Sequence, residues 1–318
     1  MTLSLAHRRR PVLALDIGGT KMAAALVDPG GRVVRPSRVD TPKGSDADAA
    51  QLWRTLTGLV RSVVDDDVRI GGVGAGCGGP MTWPAAEVSP LNIPGWRGFP
   101  LRAKLRELFP NAPVRVHNDA VCLAVGEHWR GAGRGVDNML GMVVSTGVGG
   151  GLVLGNRLVD GASGNAGHIG HVVVDPDGPD CSCGGRGCLE AVASGPRLAR
   201  WAQEQGWHAA TGDSARELAD DASRGHAVAV RAMERAGTAL GVAIASATHL
   251  CDLEVVAIGG GLSQAGPLLF DPLEQAFRRH ARMGFARDVR VVPAELGQQA
   301  GLVGAAALVL GGERYWSV

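Results

Sequence analysis

Short apolar runs that end in glycine-rich turns recur along the first part of the chain. Residues 12–17, "VLALDI", form one such run, and the "GGTK" that follows predicts a buried strand and a tight turn. "AAALVD" and "GRVV" continue as strands of a meander through Pro29, Gly30 and Gly31. "RIGGVGAGCGG" and "PVRVHND" have the same character, so we expect a sheet built from these five segments.

Helical spacing appears between and after these strands. Apolar residues at 52, 53, 56, 59, 60, 63 and 64 follow the period of an amphipathic helix, and "AVCLAVGEHWRGAG" predicts a second helix. The second half repeats the plan, with two strands in "NMLGMVVSTGVGGGLVLGNRLVDG" and a helix from about Leu189. "HAVAVRAMERAGTALGVAIASATHL" predicts a long helix, "EVVAIGGG" a strand, and "GPLLFDPLEQAFRRHARMG" and "QQAGLVGAAALVLG" two more helices. The alternation predicts an α/β fold with mixed sheets covered by helices.

Composition narrows the class of protein. The 318 residues allow two domains, and a formal net charge of +1 gives no overall field for nucleic acid or a membrane surface. The start "MTLSLAHRRRP" has the wrong charge order for a secretion signal, and no uncharged apolar run is long enough to span a membrane. We therefore expect a cytoplasmic protein without a nucleic-acid or membrane partner. In the cytoplasm, clustered cysteines more often bind metal than form disulfides.

Three glycine-rich turns are candidates for phosphate binding, because each follows an apolar strand and exposes backbone N–H groups. They contain the candidate cofactor-binding residues Asp16, Gly18, Gly19, Thr20, Lys21, Ser145, Thr146, Gly147, Gly149, Gly259, Gly260 and Gly261. The chain has no G-x-x-x-x-G-K-[ST] motif of P-loop enzymes. Gly74, Gly76 and Gly79 match G-x-G-x-x-G, but the "PMTWP" that follows cannot open a helix, which argues against the dinucleotide-binding interpretation.

A histidine and three cysteines have the spacing of a metal site. His171 lies ten residues before Cys181, and Cys183 and Cys188 follow within eight residues. Cys₃His is a closed ligand set for a structural Zn²⁺, since it leaves no open position for water. The isolated Cys77, Cys122 and Cys251 are expected in the core; their positions in apolar stretches favour that role.

The ordered motifs D-x-G-x-T, S-T-G-x-G-G-G and G-G-G resemble those of the sugar kinase and actin-type ATPases. Within that group, H-x(9)-C-x-C-G-x-x-G-C-x-E resembles the ROK family (repressors, open reading frames and kinases), and the likeness covers about residues 12–310. It implies a two-domain actin-like ATPase (ribonuclease H-like) fold with a cleft between the domains. We expect one domain at 1–118, completed by the C-terminal helix at 299–318, and a larger one at 119–298 that carries the zinc motif.

The resemblance also implies an activity and its residues: an ATP-dependent sugar kinase that phosphorylates a hexose 6-hydroxyl. It places Asn118 and Asp119 between sugar and γ-phosphate, with Asp119 as the general base, although an aspartate at a helix start can also be a cap. Asn92 is expected to contact the sugar and Gly79 to lie near it. Asp16 is expected near Mg²⁺, so the implied cofactors are ATP, Mg²⁺ and structural Zn²⁺.

The segment "GHIGH" concerns the choice of sugar. In glucose-phosphorylating members the first position is Glu, and that Glu, the second His and the Glu of C-x-E bind the sugar; the corresponding residues here are His168, His171 and Glu190. A neutral imidazole can donate a hydrogen bond, whereas an ionised carboxylate cannot. The acceptor is therefore glucose or a close hexose, N-acetylmannosamine or another amino sugar, or a cyclitol. Trp96 either lines the sugar pocket or packs in the core.

The same resemblance includes two other classes of protein, a repressor and a non-catalytic sensor. A repressor of this family carries an N-terminal DNA-binding domain, for which the eleven residues before the first strand leave no room. A non-catalytic sugar sensor or regulator is disfavoured because Asp119 and all three turns are present. The donor, ATP or polyphosphate, stays open, and a homodimer or homotetramer is expected from the family.

Overall fold

The computed structural model describes residues 10–44, 47–65, 67–208, 212 and 214–317. The residues 1–9, on which the expected lack of a secretion signal rests, lie outside this part. Among the described helices, none combines the length and the hydropathy needed to cross a bilayer. The strands are β1 Val12–Ile17, β2 Lys21–Val27, β3 Val33–Asp40, β4 Val73–Cys77, β5 Val114–Asn118, β6 Met139–Val144, β7 Val148–Leu154, β8 Arg157–Leu158, β9 Val255–Gly259 and β10 Arg290–Pro293.

The helices fill the intervals between the strands and follow the last one. They are α1 Ala49–Val63, α2 Leu101–Leu108, α3 Asp119–Arg130, α4 Leu189–Ala193, α5 Gly195–Glu204, α6 Ala215–Ser223, α7 Ala227–Cys251, α8 Pro267–His280 and α9 Ala300–Leu310. The helix predicted from about Leu189 is in fact two, because Ser194 is extended (ψ 148°) and separates α4 from α5. The sequence patterns did not predict α2, α6, β8 and β10.

The first sheet has the strand order β3-β2-β1-β4-β5. β1 pairs antiparallel with β2 and parallel with β4, and β4 pairs parallel with β5. Both faces of β1 are buried: Leu13, Leu15 and Ile17 belong to one apolar cluster, and Val12 and Ala14 to another. A strand covered on both faces reads as a continuous apolar run, which is why "VLALDI" does not alternate.

The second sheet has the order β10-β9-β6-β7-β8. Read from β8 to β10, the order is β8-β7-β6-β9-β10. The five strands of each sheet, counted along the chain, therefore lie in the same order: third, second, first, fourth and fifth. β9 pairs parallel with both β6 and β10, and β7 pairs antiparallel with β8. The mixed α/β fold with two sheets, predicted from the repeated plan, is confirmed.

Glycines allow pairs of helices to approach closely. A Cβ on Gly304 of α9 would lie 1.6 Å from the carbonyl oxygen of Cys122 in α3, and one on Gly126 would lie 2.6 Å from that of Ala300. In the same way, a Cβ on Gly241 of α7 would lie 2.5 Å from a carbonyl oxygen in α8. Real side chains do not reach such distances, so these helix pairs depend on glycine at the contact.

The chain divides into two compact units. The first unit contains 1–137, 151–166 and 295–318; the second unit contains 138–150 and 167–294, so the division runs through β7. The predicted boundary after Asn118 differs from this, because α3 packs on α9 and the buried carboxylate of Glu127 in α3 accepts hydrogen bonds from the Glu295 and Leu296 N–H groups (3.0 and 2.8 Å). These contacts keep α3 with the first unit.

Candidate functional site

The carboxyl ends of the parallel strands β1, β4 and β5 lie at one edge of the first sheet. Two predicted carboxyl groups and one predicted amide lie there. Asp16 is in register with Gly76, and Cys77 with Asn118. Asn118 caps α3, since its side chain accepts a hydrogen bond from the Ala120 N–H (2.9 Å). The cap alternative considered for Asp119 therefore belongs to Asn118, and Asp119 is the first residue of the helix. Its Oδ1 also accepts from the Ala120 N–H (2.8 Å).

Asp16 and Asp119 are electrostatically coupled. Burial, and then the negative charge of Asp119, raise the pKa of Asp16 from 3.8 to about 6, while Lys21 acts in the opposite direction. Two carboxylates held together at a sheet edge repel each other when both are ionised. A divalent cation relieves that repulsion, so the pair is suited to a site where Mg²⁺ accompanies a nucleotide.

The turn after β1 brings Gly18, Gly19, Thr20 and Lys21 close to the predicted sugar contacts. The Gly18 N–H donates to the Lys21 carbonyl (3.0 Å), which closes the turn. A Cβ on Gly19 would lie 2.6 Å from Cγ of Asn92, so the amide of Asn92 covers this glycine. Thr20 and Lys21 are exposed.

The loop after β4 completes this group. A Cβ on Gly78 would lie 3.5 Å from Oδ1 of Asn92 and 3.9 Å from Oδ2 of Asp119. One on Gly79 would lie 2.9 Å from Nδ2 of Asn118. The structure therefore brings Asp16, Asn92, Asn118, Asp119 and the glycines of two turns together in the first unit.

Trp96 belongs to the core and not to a pocket. Its side chain is fully buried and stacks on Phe99, with ring centroids 4.4 Å apart and an interplanar angle of 1°. Its indole N–H points to the Ala49 carbonyl (3.5 Å). Of the two roles considered for this residue, packing is the one observed.

In the second unit, the turns after β6 and β9 lie side by side. Val143 is in register with Gly259, which places the turn from Ser145 next to that of the glycines 259–261. Gly260 has φ of +96°, and a Cβ there would lie 2.3 Å from the Val144 carbonyl oxygen. A Cβ on Gly261 would lie 3.8 Å from Oγ of Ser145. The two turns form one small-residue surface.

Other predicted residues of this surface are well placed for polar contacts. Thr146 is exposed, and Gly147 and Gly149 are half-buried at the start of β7. The Ser145 carbonyl accepts a hydrogen bond from the Gly195 N–H (2.8 Å), which ties the turn to the start of α5. Sequence patterns gave no sign of Gly195, because the contact joins residues fifty positions apart.

The metal-ligand candidates converge. The ligand atoms of His171, Cys181, Cys183 and Cys188 all lie within 4.8 Å of one another. Nδ1 of His171 is 3.8 Å from Sγ of Cys181, and Sγ of Cys183 is 3.7 Å from Sγ of Cys188. Tetrahedral zinc with Zn–S bonds of about 2.3 Å separates its sulfur ligands by about 3.8 Å. The donor set and its spacing therefore fit Zn²⁺.

Backbone contacts build the loop that carries the cysteines. The Cys181 N–H donates to the Gly185 carbonyl (2.8 Å), and the Gly187 N–H to the Pro179 carbonyl (2.9 Å). Gly187 has φ of +66°, and a Cβ there would lie 1.6 Å from the Asp175 carbonyl oxygen. Only glycine fits this position, so the loop conformation depends on it.

The thiols of the cluster have unequal surroundings. A hydrogen bond from the Gly185 N–H (3.4 Å) lowers the pKa of Cys183, which is exposed. Burial raises the pKa of Cys188 to about 12 in the metal-free protein. A bound metal would have to displace the Cys188 proton, since thiolates are the ligands.

The predicted sugar residues of the second unit surround this cluster. His168 precedes a single 3₁₀ turn, Ile169–His171, and its ring stacks on that of His171 with centroids 6.2 Å apart. Glu190, two residues after Cys188, accepts a hydrogen bond from the Val148 N–H (2.9 Å) at Oε2. A Cβ on Gly147 would lie 2.7 Å from the same oxygen. Glu190 thus links the metal segment to the turn after β6.

A buried hydrogen-bond network lies behind Asn118 and follows from no sequence pattern. Nδ1 of His117 accepts the Asn118 N–H (2.8 Å), so Nε2 carries the proton and donates to Oδ1 of Asp160 (3.1 Å). Oδ2 of Asp160 accepts from the Ser317 hydroxyl (2.5 Å). The ring of Trp83 lies 4.9 Å from that of His117. His117 is 1% exposed, so the network fixes the end of β5 from the inside of the first unit.

Known proteins resemble the chain over nearly its whole length. Glucokinase of Thermotoga maritima is 34% identical over 313 residues, which cover 94% of this chain and 96% of the relative. N-acetylmannosamine kinase of Yersinia pseudotuberculosis is 36% identical over 294 residues, with 92% and 96% covered. The crystal structure of a ROK family glucokinase from Streptomyces griseus, in complex with glucose and AMPPNP, superposes with a TM-score of 0.80 at 34% identity and covers 94% and 98%.

These likenesses agree with the arrangement of strands and with the motif that holds the cysteines. The fold is that of the actin-like ATPases, as the sequence motifs implied. The family model described as the ROK family matches residues 12–311. The chain belongs to the ROK family.

Proposed function

We propose that this protein is an ATP-dependent sugar kinase that transfers the γ-phosphoryl group to the 6-hydroxyl of a hexose. The observation that carries the proposal is the pair Asp16 and Asp119 at the edge of the first sheet, next to a glycine turn and to Asn92. The chain belongs to the ROK family, and relatives similar to it are named glucokinase and N-acetylmannosamine kinase. These names support the same reaction.

Asp119 acts as the general base. Its carboxylate takes the proton from the sugar hydroxyl as the hydroxyl oxygen forms a bond to the γ-phosphorus. The bond between that phosphorus and the bridging oxygen breaks, and the electron pair leaves with ADP. Because one carboxylate oxygen of Asp119 is held by the Ala120 N–H, the orientation of the other is restricted. A positioned base of this kind contributes about 10²–10⁴-fold.

The glycine turns hold the nucleotide. Their backbone can approach phosphate oxygens, and Ser145 and Thr146 add hydroxyl donors. Thr20 and Lys21 lie on the exposed turn of the first unit, and Lys21 supplies a positive charge. Mg²⁺ fits beside Asp16, where two carboxylates are close together; when bound, it neutralises charge on the phosphates.

Zn²⁺ has a structural role in this scheme. His171, Cys181, Cys183 and Cys188 would occupy all four positions of the metal, which leaves none for substrate. The metal would hold the start of α4 and, with it, Glu190, whose carboxylate is bonded to the Val148 N–H. Glu190 and His168 then present polar groups to the sugar, and His171 adds its ring as a metal ligand.

The acceptor has two main candidates, glucose and N-acetylmannosamine. His168 favours the second, because its imidazole can donate a hydrogen bond to the N-acetyl carbonyl oxygen, which an ionised carboxylate cannot do. Cyclitols are a third class of candidate acceptor. Homo-oligomer formation as a dimer or tetramer, and a cytoplasmic location, remain predictions.

A sugar panel tests the proposal. Glucose, mannose, N-acetylmannosamine, N-acetylglucosamine and glucosamine are each added to the protein with Mg²⁺ and either ATP or polyphosphate. ADP release is followed by a coupled assay, and sugar phosphate from the polyphosphate reactions by chromatography. Sugar-dependent ADP release supports the proposal. If a sugar binds but no sugar gives ADP release or sugar phosphate, the non-catalytic sensor is favoured instead.

A further inference from the structure

A cavity of about 340 Å³ in the second unit lies beside the metal-binding segment. Its volume falls within the range of about 300–1,000 Å³ that is usual for small-molecule sites. α5 contributes four residues at helical spacing, α7 one, and the segments next to Cys181 and Glu190 the rest. The charged and aromatic residues of the lining are Asp180, Arg197, Arg200, Trp201, Glu204 and Arg235.

Both acidic residues of the lining already have a basic partner. Glu204 pairs with Arg200 along the exposed side of α5 (3.1 Å). Asp180 pairs with Arg186, which lies outside the lining (3.2 Å). Two further lining arginines form no ion pair with a carboxylate of the described residues.

Arg197 and Arg235 are those two residues. Both are half-buried, and neither makes an ion pair with a residue that the structure describes. The guanidinium of Arg235 lies over the ring of Trp201, 5.4 Å from its centroid. Its Nε is buried, and no described group accepts its N–H. Buried donors are nearly always satisfied, so this N–H is a group to which an oxygen atom of a ligand can bond.

We propose that this cavity binds a phosphate monoester, with Arg197 and Arg235 as the groups that recognise the phosphate. A phosphate dianion balances two unpaired guanidinium groups, and guanidinium forms paired hydrogen bonds with phosphate oxygens. The ring of Trp201 gives an apolar surface beside the charge, and the volume admits a phosphorylated hexose. The lining shares no residue with the glycine turns, so phosphate binding here does not depend on the proposed function. Only the identification of the ligand as the sugar phosphate that this protein forms rests on it.

Occupancy of the cavity would act on the sugar-binding segment. Asp180 directly precedes the metal ligand Cys181, and Ala191 directly follows Glu190. A ligand in the cavity therefore touches the chain on both sides of the candidate metal centre. The ligand has two possible sources, the sugar phosphate that the proposed reaction forms and free inorganic phosphate.

Isothermal titration with inorganic phosphate and with glucose 6-phosphate tests the site. The proteins are the wild type and the variants Arg197→Gln and Arg235→Gln. Arg231→Gln is the control, because Arg231 is an exposed residue of α7, one turn before Arg235 and outside the lining. We expect each cavity variant to raise the Kd of this binding event by about 10-fold or more, and the control to leave it unchanged. Melting curves establish that each variant is folded, and Arg197→Gln, on the half-buried face of α5, serves if Arg235→Gln does not fold.

The two probes distinguish the sources. Tighter binding of glucose 6-phosphate identifies a phosphorylated sugar as the ligand, and equal binding identifies the phosphate group alone. Repeating the titration with Asp119→Asn separates the cavity from the catalytic site. Inorganic phosphate should still bind to the cavity of this variant, because Asp119 does not belong to the lining. Binding that is the same in all variants would overturn the proposal. So would a fall in oligomer mass of Arg235→Gln without a change in phosphate binding, because a second copy of the chain would then fill the cavity.

Discussion

Replacing Asp16 by Asn should stabilise the metal-free protein while it removes a group needed for activity. The carboxyl of Asp16 is largely buried and lies near Asp119, and both effects raise its pKa from 3.8 to about 6. At neutral pH the folded protein must therefore keep a carboxylate charged in an unfavourable place. Asparagine has nearly the same shape and no charge, so the variant avoids this cost.

The magnitude follows from the linkage between protonation and folding. Between pH 3.8 and about 6 the folded state holds a proton that the unfolded state has lost, so the free energy of unfolding falls as pH rises through this window. A change from 3.8 to about 6 corresponds to about 3 kcal/mol once the pH is well above 6. This is an upper limit, because Asp16 keeps some contact with solvent. At pH 4 the same relation gives only about 0.6 kcal/mol.

Urea unfolding of the wild type and Asp16→Asn at pH 4 and pH 8, without added magnesium or nucleotide, measures the difference. Tryptophan fluorescence is a suitable signal, because five of the seven tryptophans belong to the first unit. Asp67→Asn, at an exposed position of the same unit, is the matched control for the removal of one carboxylate. The advantage of Asp16→Asn should grow by up to about 2.4 kcal/mol between the two pH values.

An advantage that does not grow with pH would refute the reasoning. It would mean that the carboxyl of Asp16 titrates as it does in the unfolded chain, and the coupling to Asp119 would be absent. Loss of stability at pH 8 would contradict the account more strongly, because it would give the charged carboxylate a favourable partner within the protein.

Three further predictions concern the other parts of the site. Protein purified without added zinc should contain about one zinc ion per chain. Cys183→Ser should lose both metal and thermal stability, whereas Cys251→Ser, outside the cluster, should keep both. Full activity of metal-free protein would contradict this prediction. His168→Glu should shift the ratio of kcat/KM values toward glucose by about 10-fold or more, with His168→Gln to separate charge from shape, and unchanged ratios across the panel would exclude a role in sugar choice. Asp160→Ala should lower the free energy of unfolding by about 1–3 kcal/mol and reduce kcat more than it changes KM, because the buried Nε2–H of His117 loses its acceptor. Asp160→Asn retains an acceptor oxygen and should recover most of kcat. Equal kcat in all three proteins would give the network a purely structural role.

Sequence patterns predicted the strands that are buried on one or both faces and the longer helices. They did less well where few side chains are buried. β3 extends from Val33 to Asp40, past the predicted "GRVV", because it is an edge strand whose later residues are mostly exposed and polar. α2 buries only Leu101 and Leu105, too few positions to establish a helical period.

The residues of the candidate site likewise fall into those that sequence patterns predicted and those that they did not. The metal ligands and the glycine turns follow from local spacing, because the groups that act together are close in the sequence. The partners of Asn118 do not: His117 finds its acceptor at Asp160, 43 residues further on, and Ser317 completes the network from the end of the chain. A lone buried histidine carries no sequence pattern that identifies such partners. The contacts that place α3 in the first unit are likewise made by residues distant in sequence, Glu127 and Leu296 among them.

Phosphoryl transfer by the wild type and by Asp119→Asn is the most direct measurement of the central claim. The protein is incubated with Mg²⁺, ATP and the preferred sugar of the panel, and the product is examined by ³¹P and ¹H NMR. We predict a phosphate ester on the 6-oxygen, with turnover in Asp119→Asn lower by about two to four orders of magnitude and sugar affinity changed little. Near-normal turnover in Asp119→Asn, or no sugar-dependent product from the wild type with any sugar of the panel, would contradict the account.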